Sequence, residues 1–135
     1  MALAADRDID TVNPTEVIAI KAGAADTVYK GSIVKIETDG YAEVADGAAA
    51  SVNMGLATKQ IVCAGSHAEY VKIEMGRFWL PHTGAAQTDV GTLCYAVDDE
   101  NIDHTAQNVT DCPLGLVIGF KTGYLLVDTR IKALS

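Results

Sequence analysis

The sequence predicts an all-β fold: a small single-domain β-sandwich or barrel with pseudo-repeated hairpin units, an extended N-terminal arm and at most one short helix. Three observations predict it. Short apolar–polar alternating segments recur at roughly 8–12-residue spacing, separated by glycine-bearing turns. No segment holds apolar residues at helical spacing over the ten or more positions a helix needs. Finally, Gly31-Ser-Ile-Val-Lys-Ile-Glu-Thr-Asp39 reappears sixty positions later as Gly91-Thr-Leu-Cys-Tyr-Ala-Val-Asp-Asp99, and Gly55-Leu56-Ala57 falls on Gly115-Leu116-Val117 at the same offset. Two copies of one supersecondary unit leave such a pattern. Two are too few for a solenoid, so a compact pseudo-symmetric domain is expected, with pseudo-repeats at about 16–75 and 76–130 inside a β-domain of residues 15–135.

The elements follow in order. Residues 1–14 are polar and aperiodic and end in Asn13-Pro14, a pair that disfavours helix; they read as an extended arm. Val12, Val17, Ile18 and Ile20 give its end enough apolar character to dock. Glu16–Ala22 reads as a first strand. Ser32–Glu37 alternates, with Val34 and Ile36 opposed to Lys35 and Glu37. Thr38-Asp39-Gly40 is a hairpin turn, because Asp-Gly accepts positive φ cheaply, and Tyr41–Val44 returns as the partner. Asp46–Val52 is a loop or a single helical turn, and Met54–Val62 resumes apolar character. Tyr70–Met75 alternates cleanly before Gly76 breaks or bulges the strand ahead of Arg77–Pro81. The second copy places Leu93–Val97 against Ile102–Thr105 and Leu114–Phe120 against Tyr124–Arg130.

Composition narrows the function. With 135 residues, 49% hydrophobic and 21% charged, the chain has globular composition. No apolar run approaches the roughly 18 residues of a membrane-spanning helix, so no membrane partner is expected. Asp6, Asp8 and Asp10 lie where a signal peptide needs an apolar core, so synthesis and retention in a cytoplasm are expected. A net charge of −8 disfavours nucleic acid, whose phosphates attract basic surfaces.

Reactive motifs are missing. Among His67, His82 and His104 the one Cys or His neighbour at three or four residues is Cys63, four before His67, and a single such pair does not make a zinc motif. Neither residue of that pair sits in a cysteine-protease signature. Cys63, Cys94 and Cys112 form an odd set without a disulfide pattern. The acidic hairpin Asp98, Asp99, Glu100 and Asp103 lacks calcium-loop spacing. Neither phosphate-loop pattern occurs. The expectation is therefore no enzyme, no catalytic residue, no metal and no cofactor. Two alternatives carry named residues: a carbohydrate-type module stacking sugars on Trp79 or Tyr95, and a hydrolase built from His82, His104 and a distant carboxylate.

Gly76-Arg-Phe-Trp-Leu-Pro81, Asp89-Val-Gly91, Thr-Leu-Cys-Tyr95, Leu114-Gly-Leu-Val117 and Tyr124-Leu-Leu-Val-Asp128 occur in that order. The order resembles the tailed-phage head decoration proteins, or capsid cement proteins, whose strands carry Gly-x-Phe-x-Leu-Pro, Gly-Asp-x-Val-Tyr-Trp and Ile-Gly-Val-Ala. Gly31-Ser-Ile-Val and Asp39-Gly-Tyr-Ala-Glu-Val resemble the opening hairpin. Here Asp89 precedes Val-Gly instead of following the glycine, and Ala96 stands where the family often has tryptophan. The resemblance implies a structural virion protein, made in the bacterial host cytoplasm, that binds the outer capsid surface and braces the expanded head against packaged DNA. Its implied partners are the major capsid protein and other copies of itself, with a homotrimer favoured over a dimer. A related head or fibre component is the other implied role. The arm, the Phe78-Trp79 pair and the acidic hairpin do not recur at the sixty-residue offset. They supply the expected contact residues: Leu3, Asp6, Arg7, Asp10, Val12, Pro14, Phe78, Trp79 and Asp99.

Overall fold

The computed structural model describes residues 3–8, 11–46, 51–104 and 113–133; within 11–15 it describes the backbone only. Asp10, Cys112 and most of the loop expected at Asp46–Val52 lie outside the described residues. The protein is all-β, and among the described residues the single helical segment is a 3-10 turn at Gln87–Asp89.

Eleven strands are described: β1 (Thr11–Lys21), β2 (Thr27–Val28), β3 (Ile33–Ile36), β4 (Ala42–Val44), β5 (Val52–Ala57), β6 (Ile61–Val62), β7 (Tyr70–Pro81), β8 (Leu93–Ala96), β9 (Ile102–Asp103), β10 (Gly115–Lys121) and β11 (Tyr124–Asp128). The main sheet runs β4-β3-β5-β7-β11-β10-β8-β9, with β1 added to β7 and a separate β2–β6 pair. All of these strand pairs are antiparallel. β7 is the spine. Along one edge it pairs with β1, from Tyr70 to Phe78; along the other it pairs first with β5, at Ile73 and Glu74, and then with β11, from Arg77 to Pro81.

The change of partner has a sequence cause. Val71 and Ile73 are buried at odd positions, whereas Phe78 and Leu80 are buried at even ones, so the apolar face of β7 flips near Gly76. Val71 and Ile73 join a core with Ala22, Val28, Val34, Ala42, Ala57 and Cys63, while Phe78 and Leu80 join another with Ile33, Leu56, Leu114, Leu125 and Val127. β3 and β5 therefore bury both faces: Ile33 and Leu56 point into one core and Val34 and Ala57 into the other. At the fork, Thr129 fills the gap. Its hydroxyl accepts the Gly76 N–H (2.9 Å) and lies 3.1 Å from the Gly76 carbonyl, which also accepts the Thr129 N–H (2.8 Å).

The sixty-residue echo recurs as hydrogen-bonded register. Ile33 faces Leu56 and Leu93 faces Leu116; Val34 faces Gly55 and Cys94 faces Gly115. Lys35 faces Glu43 and Tyr95 faces Asp103; Ile36 faces Ala42 and Ala96 faces Ile102. Gly31 donates its N–H to the Ala57 carbonyl as Gly91 does to that of Val117. Both glycines are left-handed, at φ +86° and +93°, which is why glycine recurs there. Gly55 and Gly115 recur for another reason: a Cβ at either would run into the backbone of the neighbouring strand, at Glu74 and Asp128 respectively.

Three elements depart from expectation. The first strand begins at Thr11, inside the segment read as arm, and a register shift between Val12 and Glu16 takes up Asn13-Pro14, which cannot keep a regular ladder. Met54–Val62 divides into β5 and β6 at the turn after Ala57. Thr27–Val28, too short to show periodicity, forms β2; sixty positions later the 3-10 turn occupies the equivalent place.

Candidate partner-binding surface

The N-terminal segment is fastened to the domain. Arg7 donates its backbone N–H to the Lys30 carbonyl (2.8 Å), Nε to the Gly31 carbonyl (3.0 Å) and Nη1 to the Glu100 carbonyl (3.1 Å). Gly31 makes room for it, since a Cβ there would overlap Arg7. Asp6 accepts the Lys30 N–H (2.7 Å), and Asp8 pairs with the Lys30 ammonium at the surface (2.7 Å). Leu3 donates its N–H to Asp99 Oδ1 (2.9 Å), whose Oδ2 accepts from Ser32 Oγ (3.2 Å). Burial lowers the Arg7 guanidinium below its ordinary value, against the charges of Glu100, Asp99 and Asp98. Burial raises the Asp99 carboxyl above its ordinary value, against its bonds from Leu3 and Ser32.

Two members of the expected contact set, Asp99 and Phe78, are buried. Asp99, 3% exposed, anchors the arm from within through the bond from Leu3. Phe78, 1% exposed, belongs to the core, because strand alternation turns it inward when Trp79 turns outward. Trp79 is half-buried, with the Lys121 ammonium 4.6 Å from its ring centroid and 5.0 Å from that of Tyr124. That cation occupies one face of the Trp79 ring. Leu3 and Arg7 are half-buried and Asp6 is exposed, all within the docked arm. Val12 and Pro14 lie on the β1 backbone, and Asp10 falls outside the described residues.

β1 is an edge strand of the sheet, whose main path ends at β4 and β9. Ile18 and Ile20 pack on the core below, while Val17 points outward at 56% exposure. Among the described residues the outer edge of β1 has no strand partner. An unpaired edge with few charges is the feature that invites strand addition.

Sequence reading gave no hint of the Lys35 site. Its side chain is 2% exposed, and its ammonium reaches Glu37 (2.5 Å) and Asp46 (2.7 Å). Burial acts to lower its pKa, but the bonds to Asp46 and Glu37 override it and raise the value above the ordinary one. This is a structural tie across the β3–β4 hairpin. Both described thiols are buried: burial pushes Cys63 up, and Cys94, wholly buried, is pushed up to about 12. His67 stacks on Tyr41 (3.9 Å between ring centroids), and its Nδ1 meets the Ala22 carbonyl at 3.0 Å.

The arrangement defines a class: an all-β domain of doubled hairpin units around a forked central strand, with a docked N-terminal segment and an open edge. No family model matches the chain, and no curated protein matches it. Among solved structures it is similar to the N base of the head fiber protein gp8.5 of bacteriophage phi29, at 15% identity and a TM-score of 0.48, covering 89% of this chain and 100% of that one.

Proposed function

We propose that this protein is a structural component of a phage virion, and more specifically a capsid decoration protein held on the outer surface of the head. One observation carries the reading. The separate pieces of the decoration-protein pattern fall on adjacent strands of one continuous sheet. Gly76–Pro81 lies on β7, which pairs with β11 (Tyr124–Asp128); β11 pairs with β10, and β10 with Leu93–Cys94 of β8. This adjacency is consistent with the pattern belonging to one structural block, as the resemblance requires.

Attachment would be multivalent. A symmetric oligomer touching several capsid subunits gains avidity through effective concentration, so weak individual contacts suffice. The open edge of β1, with Val17 outward, supports strand addition by a capsid segment or a second copy. The docked arm refines the role of residues 3–8: they shape the surface beside the acidic hairpin before any partner arrives.

The test uses expanded capsids that lack the protein. Saturable binding with a rise in capsid melting temperature is expected; absence of both refutes the proposal. A deletion of residues 1–8 leaves β1 whole, whereas one reaching Asn13 removes the start of the strand. The shorter deletion is therefore the informative one, and it should weaken capsid binding while the fold persists. Mass measurement in solution reports the oligomer, expected to be a trimer.

A further inference from the structure

We propose that His82, Asp89 and His104 form a binding site for a divalent transition-metal ion of the zinc type, independent of any capsid role. One ligand atom from each lies within 4.8 Å of the other two. Two imidazoles and one carboxylate suit zinc, cobalt or nickel and not magnesium or calcium, which prefer all-oxygen sites.

The three donors come from separate segments that only the fold brings together. His82 follows the end of β7, where its backbone N–H bonds to the Gly123 carbonyl (3.0 Å). Asp89 ends the 3-10 turn and is largely buried; its Oδ2 accepts the Ala86 N–H (2.9 Å). That bond aims Oδ1 at His104, 3.8 Å from Nδ1 and so beyond hydrogen-bond reach. His104 follows β9, and Asp103 Oδ1 stands 3.4 Å from the same Nδ1 that faces Asp89, so a metal held by Nδ1 would take that nitrogen from Asp103. The His82 and His104 rings meet edge to face with centroids 6.1 Å apart.

Tetrahedral ligands bonded at about 2.0–2.2 Å sit roughly 3.3–3.6 Å from one another, so binding needs about an ångström of closure. His104 is the member placed to supply it, because its side chain is 48% exposed. The exposed side leaves a fourth position for water. The scaffold does not demand these residues: sixty positions earlier stand Ala22, Tyr29 and Val44, none of them a comparable donor. The ion would staple the loop after β7 to the β8–β9 hairpin. It also replaces the hydrolase reading of the same histidines with a binding role.

The full chain, stripped with chelator, is titrated with cobalt and then with zinc, and melted with and without zinc. Expected are one cobalt per chain with the intense visible absorption of four-coordinate geometry, its displacement by zinc, and a melting rise of several degrees. His82→Gln and His104→Gln should each weaken binding at least tenfold. Asp89→Asn, which retains an acceptor for the Ala86 N–H, should weaken binding without unfolding the turn. His67→Gln should bind like the parent chain. Failure of the parent chain to take up cobalt overturns the proposal. So does unchanged affinity in both His82→Gln and His104→Gln, or loss of binding in His67→Gln.

Discussion

Replacing Arg7 with alanine tests whether the arm is a built part of the domain. Its guanidinium makes two bonds to carbonyls, Gly31 at 3.0 Å and Glu100 at 3.1 Å. Such charge-assisted bonds contribute roughly 1.5–3 kcal/mol each. Arg7 is only partly buried, so the low end applies, giving about 3 kcal/mol for the pair. Against this stands its Nη2, buried without a partner, which costs about 1 kcal/mol. The net loss of about 2 kcal/mol corresponds to an arm that opens about 30-fold more often. Hydrogen exchange reads this directly. The Leu3 amide, bonded to Asp99, and the Lys30 amide, bonded to Asp6, should lose protection by that factor. The Gly31 amide, bonded to Ala57 inside the domain, should keep its protection. A fall of less than about threefold at Leu3 and Lys30, or an equal fall at all three amides, would refute the separate docking of the arm.

Gly55→Ala and Gly115→Ala should each destabilise by about 3 kcal/mol in chemical denaturation, because the added methyl meets a neighbouring strand's backbone that cannot yield. Gly40→Ala, facing open space at φ +86°, should cost only about 1 kcal/mol, so equal losses at all three would refute the close-approach argument. Thr129→Val should cost about 2 kcal/mol by leaving the buried Gly76 N–H without its acceptor, and a melting temperature within a degree of the parent would contradict the fork. Asp99→Asn should melt at or above the parent temperature at neutral pH. Because the folded Asp99 value is raised, its contribution is present below the ordinary carboxylate range and lost as pH rises through the folded value. The advantage of Asp99→Asn should therefore shrink on acidification, and a constant or growing advantage would invert the assignment.

Much of the scaffold was legible because its signals are local. Alternation in Ser32–Glu37, the Asp39-Gly40 turn and the repeated glycines report backbone geometry over a few residues, and the strands at Ile33–Ile36, Ala42–Val44 and Leu93–Ala96 follow them. β2 and β6 were not legible, since two-residue strands carry no period. Nor was the burial of Lys35, because in an alternating segment a lysine reads as the solvent face. Only a strand covered on both sides, with Glu37 and Asp46 beside the ammonium, makes it internal.

By itself the sequence determined the all-β class, the turns and the sixty-residue spacing of the two hairpin units, since glycine tolerance and side-chain alternation are properties of the chain at short range. Only the tertiary structure decided which side chains meet across it. It placed Arg7 against Gly31 and Glu100, turned Asp99 inward as an anchor, and gathered His82, Asp89 and His104 from three segments. Each of these joins segments far apart in the chain, brought together by a sheet that packs two cores, and no window of adjacent residues encodes it.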